Sequence, residues 1–247
     1  MSISMREEDK DYHMEYQEIV DHLCSLADPE IARHSQHFFK TAEGEYGFGD
    51  MFLGIRVPVI RQAVTRYKTT PLSVAEKLLR SEYHEVRFFA LILLVARFST
   101  SRADEQEKIY CLYLRNTQYV NNWDLVDCSA HYIIGPYLED RDTSILDDLS
   151  RSDSLWERRI AIMSTFYFIK KNRFGDTLHI SEQLLGDQED LIHKAVGWML
   201  REVGKRDKAQ EVAFLKAHYR KMPRTMLRYA IEKFNEEERQ QYLLGTL

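Results

Sequence analysis

The chain has 247 residues, 44% of them hydrophobic, enough for one large domain or two small ones with a sizeable core. It contains no apolar run of about 18 residues, and the start, MSISMREEDKDYHME, is acidic with no apolar signal-type core; both features argue against a membrane or secreted protein and predict a cytoplasmic one. The net charge of -5 is uneven: residues 1–150 carry a net -9, residues 151–233 a net +6 and the remaining tail -2, so that a basic segment sits inside an acidic protein as either a phosphate footprint or a solvated face.

With only 10 Gly and 5 Pro, and few windows alternating at period two, helix is the dominant expectation and no sheet is predicted. Residues 1–12 are polar and expected to be disordered; residues 13–247 are expected to form one repeat domain. Apolar periodicity near 3.6 begins with YQEIVDHLCSLA (16–27). Asp28-Pro29 and Thr70-Pro71 both look like helix starts, a capping side chain preceding a proline in the first turn. In HSQH (34–37) the two imidazoles, with no third ligand in view, are assigned to helix surface. GEYGFGDMF (44–52) has three glycines but neither a preceding strand nor a following Lys-Ser/Thr, so it is a loop and not a phosphate-binding turn. Further helical segments are VRFFALILLVARF (86–98), ERRIAIMSTFYFI (157–169), HKAVGWMLREV (193–203) and RYAIEKF (228–234). Cys24, Cys111 and Cys128 are far apart and lack CxxC spacing, which suggests buried structural thiols.

A repeat organises these segments. RFFA (87–90), DLVD (124–127), RRIA (158–161), KAVG (194–197) and LRYA (227–230) recur every 33 to 37 residues, the length of one helical hairpin with its turns. The fourth position is small in four of them (Ala90, Ala161, Gly197, Ala230) and is followed by Leu91, Ile162, Trp198 and Ile231, as stacked helices require. The expected architecture is all-α: a curved α-solenoid of HEAT-like repeats with a concave, basic groove. At the position where the others carry Ala or Gly, one repeat carries Asp127, four residues after Trp123 and so on the same helix face. An ionised carboxylate on such a face needs compensation. Two explanations stay open: an inter-repeat bridge to Arg159, or a functional acid. All three tryptophans fall in consecutive repeats, and Trp156 is assigned to the core.

FLGIRVPVIR (52–61), NNWDLVD (121–127), LWERRIAI (155–162) and IHKAVGWMLRE (192–202), in this order and spacing, resemble the AlkD-type DNA alkylation repair family over roughly residues 15–233. The WDxVD and KAxGWxLRE elements are the most specific. The resemblance implies a HEAT-like glycosylase removing N3- and N7-alkylated purines, with Asp127 as catalytic carboxylate, Trp123 and Trp198 flanking the lesion nucleotide, and Arg159 contacting the DNA backbone. Asn122 departs from the pattern, standing where an aromatic is common in the family.

The implied chemistry is self-consistent. N3 or N7 alkylation leaves the purine cationic and already a good leaving group, so no acid is needed to protonate it. A nearby carboxylate stabilises the electron-poor sugar and orients or deprotonates water. Indole faces add cation–π contact worth about 0.5–2 kcal/mol each. For phosphate binding the candidates are Arg158, Lys194 and Arg201, then Lys205, Arg206 and Lys208 in GKRDK, with Arg220, Lys221, Arg224 and Arg228 beyond and Arg56 and Arg61 toward the other end. No nucleophile is framed by a motif. The expectation is therefore a monofunctional, monomeric hydrolase acting on double-stranded DNA with alkylated purines, with no metal, no cofactor, no membrane and no obligate protein partner. The rival is a non-catalytic HEAT-repeat module that binds DNA structures or a protein partner.

Overall fold

The computed structural model describes residues 7–246, with side chains from Met14 onward, and the regular elements among them are helices. One isolated parallel bridge joins Met51 to Tyr83. The chain divides into two compact units, one ending at Ser129 and one starting at Ala130.

The first unit contains α1 (Glu7–Ser25), α2 (Pro29–Phe38), α3 (Val57–Arg66), α4 (Leu72–Leu79), α5 (His84–Thr100), α6 (Ala103–Arg115) and α7 (Trp123–Asp127). Helix α1 begins at Glu7, inside the segment expected to be disordered; residues 1–6 lie outside the described ones. Its core face carries Ile19 and Leu23, one turn apart and fully buried, while Cys24, one step round the helix, is exposed and not the buried thiol expected. Cys111 and Cys128 are half-buried. Helix α2 starts where Asp28-Pro29 predicts, with Asp28 Oδ1 accepting from the N–H groups of Glu30 and Ile31 at 2.9 and 3.1 Å. Thr70 does not cap α4. Pro71 takes the cap position, its carbonyl accepting from Ala75 at 3.1 Å, and the Thr70 hydroxyl is buried without a partner.

The second unit contains α8 (Ala130–Tyr137), α9 (Ser144–Ser150), α10 (Leu155–Ser164), α11 (Phe166–Ile169), α12 (Gly175–Gln183), α13 (Asp190–Gly204), α14 (Lys208–His218), α15 (Arg224–Ala230) and α16 (Glu236–Leu244). ERRIAIMSTFYFI is therefore two helices. The Ser164 and Thr165 hydroxyls bond back to the carbonyls of Ile160 and Ile162, both at 2.7 Å, and this competition with the backbone ladder accompanies the break.

Within each unit the helices that carry the repeat stack on one another or on a neighbouring helix: α3 on α5 and α5 on α7 in the first unit, and α8 on α10, α10 on α13 and α13 on α15 in the second. In the second unit α9, α12 and α14 pack against this row, giving the two-layer organisation of a helical-repeat protein. Ala90, Ala161 and Ala230 are fully buried at the repeat position. Gly197 shows why it must be small: a Cβ there would collide with the Met226 carbonyl and the Tyr229 Cβ of α15.

Candidate functional site

Helix α7 has five residues, too few to persist without tertiary support. Three devices hold it. Asn122, fully buried, caps it by accepting the Trp123 N–H at 2.8 Å. Leu125 and Val126 are fully buried beneath it. Asp124 in its first turn accepts from Leu125 N–H at 2.9 Å and, through Oδ2, from His84 Nε2 at 2.8 Å. The opposite face presents Trp123 and Asp127, both half-buried, so the acid is neither sealed away nor fully hydrated. Neither Asp127 nor Arg159 is without a partner.

Sequence reasoning missed the group behind Trp123. Phe39 stacks on the indole at 5.4 Å and 25°, Phe38 meets it edge-on at 5.9 Å, and behind Phe39 lie Phe52 at 5.2 Å and the His84 ring at 4.9 Å. His84, 2% exposed, sits between two carboxylates, with Nε2 on Asp124 and Nδ1 on Asp50 at 3.2 Å. Burial pulls the imidazole down, but Asp124 and the Asp50 hydrogen bond outweigh it and push the group up to about 9. Burial raises Asp50 in turn, yet His84 and Arg87, the latter at 2.7 Å, hold its carboxyl below the ordinary range. Next to it the buried Glu85 carboxylate accepts from the backbone N–H groups of Leu53, Gly54 and Ile55 at 2.9, 2.7 and 3.3 Å, fixing the irregular stretch that precedes α3. A cavity of about 250 Å³ lies against this cluster, lined by Phe39, Phe52, Ile60, Phe88, His84 and Asp124. A signal for the cluster existed: Asp50, His84 and Asp124 are separated by 34 and 40 residues, about one repeat each. Arg61, exposed on α3, is near enough to the end of α7 for its charge to reach Cys128.

In the second unit Arg159 is 5% exposed, and its Nη1 donates to the Leu191 carbonyl at 2.6 Å. Trp198 is half-buried on α13, its indole N–H donating to Glu202 at 3.2 Å and its ring 6.0 Å from that of Phe166. Trp156 is also half-buried and not a core residue, because it falls in the first turn of α10 before the buried run begins at Arg159.

Five of the candidate phosphate ligands are neutralised by acids. Arg158 pairs with Asp187 at 2.6 Å and also donates to the carbonyls of Ser152 and Asp153; Lys194 pairs with Asp190 at 2.7 Å, Arg201 with Glu232, Lys205 with Glu202 at 2.6 Å, and Lys208 with Glu238 at 2.8 Å. Arg206 is exposed, with only a 3.4 Å bond to Asn172 Oδ1. His34 and His37 lie exposed on α2, as their spacing suggested. No group of three potential metal ligands occurs among the described residues, and none of their helices is long and apolar enough to cross a membrane.

Solved structures share this fold. A predicted DNA alkylation repair enzyme from Enterococcus faecalis is similar at a TM-score of 0.67 and 17% identity, over 85% of this chain and 98% of that one. The smu.31 protein of Streptococcus mutans UA159 (TM-score 0.52, 16% identity, 90% and 98% covered) and AlkD2 of Streptococcus mutans (TM-score 0.52, 18% identity, 84% and 98% covered) are also similar. No curated protein matches the chain. At these identities the structures speak for the fold, whereas the sequence match is independent: the family described as DNA alkylation repair enzyme matches residues 19–234. The chain therefore belongs to the DNA alkylation repair enzyme family.

Proposed function

We propose that the protein is a DNA glycosylase that hydrolyses the N-glycosidic bond of cationic N3- or N7-alkylated purines in duplex DNA. The observation that carries this reading is the face of α7, where a half-buried carboxylate, Asp127, stands one helical turn from a half-buried indole, Trp123, backed by a stacked aromatic column. As the C1′–N bond breaks, its electron pair returns to the purinium ring and neutralises it. The Asp127 carboxylate stabilises the positive charge left on the sugar, and water adds to C1′ while its proton passes to the carboxylate or to solvent. Trp123 is assigned a cation–π contact with the cationic nucleotide, and Trp198 the same kind of contact. A phosphate contact by Arg159 has the least support, since little of that guanidinium is exposed.

Incubation with a duplex containing 7-methylguanine, with chromatography of free base, tests this directly. Wild type should release base, and Asp127→Asn should slow release by about 10²–10⁴-fold with duplex affinity retained. A wild type that binds the duplex and releases nothing ends the proposal.

One observation favours the rival, a module that binds DNA structures or a protein partner without turnover: the ion pairing of Arg158, Lys194, Arg201, Lys205 and Lys208. Under that reading Asp127→Asn would lower the melting temperature and no substrate would be consumed.

A further inference from the structure

With Arg158, Lys171, Lys194, Arg201, Lys205 and Lys208 tied to carboxylates, the uncompensated charge near the aromatic residues of the second unit stands out. Lys170, directly after α11, and Arg206, just beyond α13, are both exposed, and among the described residues neither has a carboxylate within ion-pair distance. They are neighbours: Arg206 bonds Asn172, two residues from Lys170. By contrast the adjacent Lys171 is paired with Glu139 and Lys205 with Glu202. The Lys170 ammonium rides 4.3 Å above the Phe166 ring and 5.4 Å from that of Tyr132. Tyr132 is 48% exposed, its ring set at 3.9 Å against His131, and Phe166 in turn approaches Trp198 at 6.0 Å.

Partial burial and the Arg206 guanidinium hold Lys170 below the ordinary lysine range, with Glu202 acting the other way. Burial, reinforced by Lys170, pushes His131 down to about 4, so the imidazole under Tyr132 is neutral near pH 7 and adds no charge. Two like charges held together beside aromatic rings repel unless an anion joins them. A phosphodiester supplies that anion, and its sugar or base supplies a flat partner for an exposed tyrosine ring.

We propose that Lys170 and Arg206 clasp a backbone phosphate of bound DNA, with Tyr132 packing on the adjacent nucleotide, and that the ion-paired cations of the same unit make no such contact. This rests on the reading of the protein as DNA-acting, but not on its being a glycosylase. Lys170 and Tyr132 had no motif to mark them; Arg206 was one candidate among several, and its lack of a counter-ion separates it from Lys205 and Lys208.

The test is salt-dependent binding of an undamaged duplex, followed by fluorescence anisotropy, for wild type, Lys170→Gln, Arg206→Gln and Lys208→Gln. All three changes are on the surface, and thermal melts verify that each variant is folded. Removing one phosphate ligand should lower the slope of log affinity against log salt by about 0.9, both in Lys170→Gln and in Arg206→Gln. The drop in affinity between 50 and 200 mM salt then shrinks by about 3.5-fold per variant. Lys208→Gln should match wild type, and Tyr132→Ala should weaken binding with its slope unchanged. Unchanged slopes for Lys170→Gln and Arg206→Gln, or an equal loss for Lys208→Gln, overturn the assignment. A wild type that releases no base while these slopes fall as stated keeps this inference and removes the glycosylase reading; one that releases base with slopes untouched does the reverse.

Discussion

His84 is the residue whose chemistry most constrains its neighbours. One nitrogen fastens the first turn of α7 through Asp124, the other reaches Asp50, and the ring lies in the aromatic column that ends on Trp123. The charged and polar groups around it are Asp50, Asp124, Arg87, Glu85 and Asn121, with Arg56 lining the same cavity. A Gln amide carries both of its N–H groups on one nitrogen and cannot stand in for the two separate ring nitrogens that reach Asp50 and Asp124, so α7 should shift relative to the column. A displacement of about 1 Å at a reacting group costs roughly 10²-fold in rate. His84→Gln is therefore expected to slow single-turnover base release by about that factor with a small change in duplex affinity. In wild type, release should also decline as pH rises through about 9, where the imidazolium loses its proton. Asp124→Asn removes a carboxylate that holds that proton and should move the decline to lower pH. Superimposable pH profiles for wild type and Asp124→Asn would show that His84 does not govern the site.

At the scale of single elements, short helices and tight crossings decide where the site residues point. The Asn122 cap is fully buried, and Asn122→Ala should cost about 1 kcal/mol in stability and more in activity, because the element it starts carries both Trp123 and Asp127. Glu85 matters in the same way for the stretch before α3. Glu85→Ala strands three backbone N–H groups, each costing about 1–3 kcal/mol if left unsatisfied. Gly197→Ala would force α13 and α15 apart, with an expected loss of about 1–3 kcal/mol in denaturant unfolding and a displaced Trp198 next to it. An unaltered midpoint for Gly197→Ala would mean that α15 moves away freely and that the close crossing is not required.

For the molecule as a whole, three buried titratable groups set how stability follows pH. His84 stays protonated to about 9 in the folded state and to about 6.5 in an unfolded chain. Its contribution is fully present below pH 6.5 and disappears as pH climbs to about 9, on the order of 3 kcal/mol. Glu211, 2% exposed and with one carboxyl oxygen lacking a partner, is pushed by burial up to about 8 against the partial opposition of Lys208 and Arg201. It acts in the same sense, stabilising below pH 4.5 and losing that effect as pH rises through about 8. His131, held down to about 4, acts oppositely: its contribution is present above pH 6.5 and is lost as pH falls toward 4. The melting temperature should accordingly decline from pH 6.5 to 9. Glu211→Gln, which removes the ionisation and keeps the shape, should gain on wild type at pH 8.5 and not at pH 5. An equal difference at the two pH values would assign the effect to packing and not to the carboxyl group.

How much of this was legible beforehand follows from the range of each interaction. Helix type, the repeat interval, the small residues at its fourth position, the Asp28 cap and the shared face of Trp123 and Asp127 depend on groups within a turn or on simple periodicity, so linear sequence determined them. The helix break at Thr165 and the passing of the α4 cap from Thr70 to Pro71 escaped because hydroxyl back-bonding and carbonyl acceptance are choices made inside a packed environment. Counting charge along the chain gave a basic segment but not which of its cations are paired: Asp187, Glu232 and Glu238 reach Arg158, Arg201 and Lys208 from about 30 positions away, while Glu202 lies one turn from Lys205. Only tertiary structure could join Asp50, His84 and Asp124, or leave Lys170 and Arg206 without an acid. Those outcomes arise from contacts between residues some 30 to 40 positions apart, across which local physical chemistry in the chain carries no distance.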